Sequence, residues 1–195
     1  MEERYAALAK FMRNYADFSA ADVAAVSACW RPVLAKVGDQ LLVPGQVCRH
    51  VYFLHTGLMR YFYIDEQGEE VTKFFTEPPY VFTAQRSLNL AQPSQEGIAV
   101  VQEAELLVIS KADVDALFRL ASWSTFVRKL VQEVQYFTEQ ILLDAQALTA
   151  EERYKKMLIE QPNLVLQLSQ KHIASYLGIA PQSLSRIRAR VAGDS

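Results

Sequence analysis

The stretch from Gln170 to Arg190, QKHIASYLGIAPQSLSRIRAR, limits the fold more than any other part of the chain. Its apolar positions Ile173, Leu177, Ile179, Leu184 and Ile187 are spaced to lock two short helices at a steep angle. Ala174 is small where the helices must cross closely, and Gly178 follows four residues later, where the chain needs a left-handed turn. Pro181 suits the first position of the second helix, because its missing N–H would be unpaired there anyway. The spacing predicts a helix-turn-helix, with Ser169 capping its first helix. Gln182, Ser183, Arg186 and Arg190 then lie on the outward face of the second helix, with Arg188 on its flank.

An α-helix fits the major groove of B-DNA and presents its N-terminal side chains to base edges. Arg186 suits guanine O6 and N7, and Gln182 suits adenine N6 and N7. Ser169, Gln170 and Lys171 at the start of the first helix, with Arg188 and Arg190 at the end of the second, are placed for phosphate contact. Charge agrees with this reading: Thr149–Ser195 holds seven Lys or Arg against four acids, whereas the preceding 148 residues hold thirteen against eighteen. An acidic body thus ends in a small basic unit, a pattern that points to a polyanion partner.

The rest of the chain changes period twice. Residues 2–14 and 19–29 read as short helices, the second capped by Ser19 with Asp22 three positions on. From Val33 to Ile109, Val-, Tyr-, Phe- and Leu-rich segments alternate with Gly38-Asp39, Pro44-Gly45, Thr56-Gly57 and Asp65-Glu66-Gln67-Gly68, the signature of short antiparallel strands. Val51–Leu54, Met59–Ile64 and Glu70–Phe75 are three of these strands, and residues 77–97 interrupt the rhythm with a short helix around Arg86–Leu90. After Ser110, a helix cap supported by Asp113, the period turns helical. Val127, Leu130, Val134, Phe137, Ile141, Asp144 and Leu148 recur in steps of three and four, a coiled-coil seam with one polar intrusion. Either the seam packs back onto its own sheet or it meets a second copy. A seam of three heptads exceeds what one short neighbour can bury, which favours a dimer with Val127, Leu130, Val134, Phe137 and Ile141 in its interface. Thr149-Ala150-Glu151-Glu152 is a capping box that starts a new helix, and Leu164–Leu168 reads as extended. Three units follow: 1–121, 122–148 and 149–195.

Composition excludes several classes. With 51% hydrophobic residues, 11% aromatics and only seven Gly and seven Pro, the chain can build a core and is not of low complexity. Cys29 and Cys48 cannot form a multi-disulfide framework or a four-thiolate metal site. The N-terminus carries Glu2 and Glu3 before an amphipathic pattern and no apolar run reaches spanning length, so a cytoplasmic protein without a membrane partner is expected.

Helices, a β-roll with Pro44-Gly45 and Gly57 turns and the Asp65–Gly68 hairpin, a long helix and a C-terminal helix-turn-helix together resemble the Crp/Fnr superfamily of bacterial transcription regulators. The segments Ile173–Ile179 and Ser183–Arg188 are similar to a short branch of it with no assigned effector. The resemblance covers nearly the whole chain. It implies an α+β fold: a double-stranded β-helix or jelly-roll-like β-roll flanked by helices, a long dimerisation helix and a helix-turn-helix. It also implies a homodimer on palindromic double-stranded DNA, RNA polymerase as a further partner, and Gln182, Ser183 and Arg186 as base-reading residues. An effector pocket would hold Thr83, Ser94 and Thr138.

Departures from the family pattern bear on mechanism. Cyclic-nucleotide sensors of the family hold the ligand with a Gly-Glu pair and an Arg-Ser/Thr pair, whereas the matching stretches here are Tyr80-Val81-Phe82-Thr83 and Gln92-Pro93-Ser94-Gln95. The cyclic phosphate would lack its charge-assisted clamp and the ribose its carboxylate, so no response to cyclic AMP is expected. Arg86 reads as a surface arginine on a short helix, the alternative being that it reaches the pocket from a displaced position. No cysteine precedes Cys29 for an iron–sulfur cluster, and His50 and His55 alone prepare no haem pocket, so neither cofactor nor metal is expected. Only Val191–Ser195 follow the recognition segment, which leaves no length for the family's β-wing.

Jelly rolls also serve metal-dependent enzymes, but these need a His-x-His pair, and His50 and His55 stand five apart, on opposite strand faces. Ser-His-Asp sets, P-loops and dinucleotide fingerprints are missing too, so enzymatic activity is not expected. The competing reading is an effector-binding or scaffold protein of the same fold with weak or lost DNA binding.

Overall fold

The computed structural model describes residues 2–193; Met1 and, from the short tail noted above, Asp194 and Ser195 lie outside the described residues. Two N-terminal helices, α1 (Glu2–Arg13) and α2 (Ala20–Ser27), come first. Ser19 caps α2 as expected: its Oγ accepts from the Asp22 amide at 3.1 Å, and the Asp22 carboxylate accepts from the Ser19 amide at 3.2 Å. The strands follow as β1 (Arg31–Ala35), β2 (Gln40–Leu42), β3 (His50–Ile64), β4 (Glu70–Thr76) and β5 (Tyr80–Phe82). A short helix, α3 (Gln85–Leu90), precedes the last strand, β6 (Glu96–Ser110).

All six strands form one antiparallel sheet in the order β1-β6-β3-β4, with β2 also on β6 and β5 also on β3. The two 15-residue strands β3 and β6 are its spine. Val51–Leu54 and Met59–Ile64, expected as two strands, are one continuous strand whose register on β6 shifts around Thr56. Gly57 explains why the turn signal did not end it. Its φ is +97°, and a Cβ there would lie 2.6 Å from the Glu103 carbonyl oxygen and 2.7 Å from Ala104 Cα. Glycine lets β3 bend while staying pressed against β6.

The helical half begins with α4 (Lys111–Leu117), capped by Ser110, whose Oγ accepts from the Asp113 amide at 3.1 Å. Then come α5 (Ala121–Ala147), α6 (Ala150–Glu160), α7 (Pro162–Gln167), α8 (Gln170–Leu177) and α9 (Pro181–Gly193). At 27 residues α5 extends about 40 Å. The Thr149–Glu152 capping box starts α6 with both reciprocal bonds made, at 3.2 and 2.8 Å. Leu164–Leu168, expected as extended, is instead mostly the helix α7. Pro162 opens α7 at its first position, and Leu164, Val165 and Leu168 fall on one buried side. Val191–Gly193, counted above as remainder beyond the recognition helix, continue α9.

Three apolar cores organise this α+β architecture. The first joins α1, α2 and the start of α5 to the sheet through Phe11, Trp30, Phe53, Trp123 and Phe126. The second fills the roll with Leu54, Met59, Tyr61, Ile98 and Leu106. The third belongs to α6–α9, with Tyr154, Leu164, Ile173, Leu177 and Leu184, but also receives Leu58 from β3.

Candidate nucleic-acid interface and cavity

The Gln170–Arg190 segment folds as its spacing requires. Ser169 Oγ accepts from the His172 amide at 3.1 Å and starts α8. Gly178 ends it at φ +69°, and the Ile179 amide reaches back to the Ala174 carbonyl at 3.0 Å. Ile173, Ala174, Leu177, Leu184 and Ile187 are buried, which seats α9 on α8. Gln182 and Arg186 project from α9 into solvent, with Ser183 half-buried between them. Neither Gln182 nor Arg186 is held by a hydrogen bond or ion pair among the described residues.

The five phosphate candidates divide. Lys171 is exposed and makes no ion pair among the described residues. Ser169 is spent on the cap. Gln170 Nε2 donates to the Pro181 carbonyl at 2.7 Å and to Ser185 Oγ at 2.5 Å, so it fastens α8 to the first turn of α9. The Arg188 guanidinium sits 5.7 Å from the Tyr154 ring centre, half-buried. Arg190 binds Glu151 through Nε at 2.9 Å and Nη2 at 2.6 Å. With Lys155 it holds the Glu151 carboxyl below the usual carboxylate range.

The roll also grips the helix-turn-helix, a contact the sequence did not suggest. The Thr72 amide of β4 donates to Ser175 Oγ at 2.8 Å, and that hydroxyl lies 3.3 Å from the Glu70 carbonyl oxygen. Phe75 lies against the rings of His172 and Tyr176, at 6.4 and 5.9 Å between centres. His172 Nδ1 is buried without a partner among the described residues. Burial first, then the positive charges of Arg60 and Lys171, lower the His172 pKa. Arg60 is itself buried, over the Phe62 ring and in an ion pair with Glu70.

The seam on α5 turns largely toward its own roll. Leu130 is buried in the first core, and Val127 packs against that core. Phe137 meets Phe74 of β4 edge-on at 5.8 Å, while Val134 and Ile141 line a cavity. Leu130 is therefore corrected from interface to core. The heptad rule located an apolar stripe but could not say which surface covers it. Of the exposed apolar side chains of α5, Val131 and Leu142 lie just beyond one edge of the inward stripe, Phe137 at its other edge, and Tyr136 and Leu143 on the far face.

Between α5, α3 and the roll lies a cavity of about 480 Å³. The structure brings Thr83, Ser94 and Thr138 together in its wall. Arg86, expected on the outer surface, lines it as well, with Lys73 and Glu96 joined in an ion pair. A second, more apolar chamber of about 280 Å³ adjoins it. Tyr61, Phe74, Thr83, Gln85, Val134 and Thr138 face both. No run of sequence signals this second chamber, because its walls come from strands and helices far apart in the chain.

With this geometry in place, the class is clear at the level of the domain: residues 33–120 match the cyclic nucleotide-binding domain. Structural neighbours that cover 85–91% of the chain include Crp/Fnr-type transcription regulators. FixK2 from Bradyrhizobium japonicum superimposes with a TM-score of 0.73 at 16% identity, covering 85% of each chain. A protein described as a candidate regulator of the Crp/Fnr family from Eubacterium rectale gives 0.73 at 14%, covering 91% of this chain and 85% of that one. The c-di-GMP-responsive global regulator CLP of Xanthomonas campestris gives 0.66 at 14%, covering 90% and 93%. At such identities the likeness is one of fold. No curated protein matches the chain in sequence. Among the described residues, no helix is long and apolar enough to cross a membrane.

Proposed function

We propose that this chain is a homodimeric, sequence-specific DNA-binding transcription regulator whose β-roll cavity takes a small-molecule effector other than cyclic AMP. The observation that carries the reading is α9: a helix fixed by the Gly178 turn that presents Gln182 and Arg186 to solvent with no internal partner. An unpaired arginine beside an exposed amide, near the N-terminus of a seated helix, suits base edges in a major groove. Lys171 adds a phosphate contact, and Arg190 joins it only by leaving Glu151. Val131 and Leu142, exposed on one side of α5, support pairing with a second copy. Against cyclic AMP stands the cavity's one acid, Glu96, which Lys73 already holds and which is thereby lost as a ribose acceptor. On this reading the protein is not an enzyme; it works in the cytoplasm and meets RNA polymerase at its operator.

Selection from random duplex DNA by the purified protein tests the proposal. The expected product is a palindrome with half-sites one helical turn, roughly 34 Å, apart. Arg186→Ala should weaken specific binding by about 1–3 kcal/mol and relax one base of each half-site. Equal weakening on every sequence would make Arg186 a phosphate contact instead. A folded dimer that enriches no sequence would support an effector-binding or scaffold protein.

A further inference from the structure

The two chambers differ in a way that limits what can fill them. Three hydroxyls already donate their protons within the chain: Thr83 and Thr138, in the shared wall, to the His50 and Val134 carbonyls, each at 2.8 Å, and Ser94, in the larger chamber, to the Glu96 carbonyl at 2.8 Å. Ser87 likewise donates to the Gln92 carbonyl at 2.6 Å. The smaller chamber is walled by Val51, Phe82, Val114, Trp123, Phe126 and Leu130, which favour an apolar body. A cavity of about 150 Å³ lined by Leu, Ile and Phe already binds benzene. At about 280 Å³ this one has room for a fused ring or a medium-length acyl chain.

Charge fixes the other end. Of the charged residues lining the chambers, Lys73 is paired with Glu96 and Lys111 with Asp115. Arg86 is left uncompensated at the larger chamber, with no ion pair among the described residues. Its planar guanidinium matches a carboxylate in a two-point contact. We propose that the chambers together take one apolar carboxylate, its head beside Arg86 and its aromatic or acyl body in the smaller chamber. As the effector of the regulator proposed above, this ligand rests on that reading; as an occupant of the cavity it does not.

Calorimetric titration of the full chain with octanoate and naphthoate, against octanol, octylamine and cyclic AMP, tests the site. The acids are expected to bind about tenfold more tightly than octanol, the amine and cyclic AMP more weakly still. Arg86→Gln, on an exposed side chain whose loss leaves packing intact, should bring octanoate down to the level of octanol and leave octanol unchanged. Val134→Trp, which fills the shared wall, should weaken acids and alcohol alike. Octanol matching octanoate, an acid preference that survives Arg86→Gln, tighter binding of cyclic AMP, or no binding by either acid would each overturn the proposal. Binding of the selected duplex is measured separately with and without octanoate. Octanoate that binds but leaves DNA affinity unchanged overturns its role as effector while the site stands. Absence of all DNA binding overturns the regulator reading and leaves the calorimetry to judge the site.

Discussion

Two of the β-roll's contacts with helices are built from different material. Against α1 and the first half of α5 it is dry and aromatic. Phe11 lies 5.8 Å from Phe53 and 6.2 Å from Phe126, and Trp123 lies 5.3 Å from Phe126. Against the helix-turn-helix it is mixed, with Leu58 of β3 buried in the α6–α9 core and polar contacts to α8 beside it. One backbone amide meets one hydroxyl at Thr72–Ser175, one phenylalanine meets two half-polar rings, and the imidazole of His172 is buried with a nitrogen unmatched. Large apolar areas hold without directional bonds, whereas a small contact resting on a few hydrogen bonds is easily undone. The first contact makes the sensor-like unit one body. The second holds the helix-turn-helix against it by interactions that can be exchanged for others.

Phe126→Ala should break the first contact most severely, costing about 3–5 kcal/mol in chemical denaturation, because Phe126 is 1% exposed at the centre of the aromatic cluster. Ser175→Ala attacks the second contact by leaving the Thr72 amide without its acceptor. A loss of about 1–3 kcal/mol, with faster hydrogen exchange at Thr72 than at Phe53, is the expected result. The gentlest probe is pH. His172 has a folded-state pKa below its ordinary value of about 6.5, so the unfolded chain binds more protons between those two values. Stability therefore rises with pH across that window and falls on acidification through it. His172→Phe should flatten that slope in a series of melting temperatures. Asp144, Glu105, Glu151 and Glu152, whose pKa values their partners lower, act separately. Their contribution is fully present above about pH 4.5 and is lost below it.

What could be read ahead of the structure was local. Ser19, Ser110, Thr149, Ser169 and Gly178 sit at element ends where one side chain or one φ angle decides the outcome, and each does so here. The helix-turn-helix of α8 and α9 was legible for the same reason. Leu164–Leu168 was misread because a short apolar run carries too few residues to show its period, and burial of Leu164, Val165 and Leu168 by distant helices settled it as α7. The α5 stripe was legible as a stripe, but periodicity says which residues share a face and nothing about what lies opposite, so the burial of Leu130 by the chain's own core had to come from the fold. Arg86 is exposed, as expected, and only the fold shows that its surface is also the rim of a cavity. The grip of Thr72 on Ser175 joins residues 103 apart in the chain, beyond the reach of any local signal.

One face of α5 carries a consequence of its own. Val134 and Thr138 form part of the cavity wall, and Val131 and Leu142, which stand open to solvent, begin a fraction of a turn further around the same rod. Whatever occupies the cavity therefore touches the helix at an address adjacent to the surface offered to the outside. The two surfaces are separated by at most the girth of one helix, about 10–12 Å, with no loop or hinge between them.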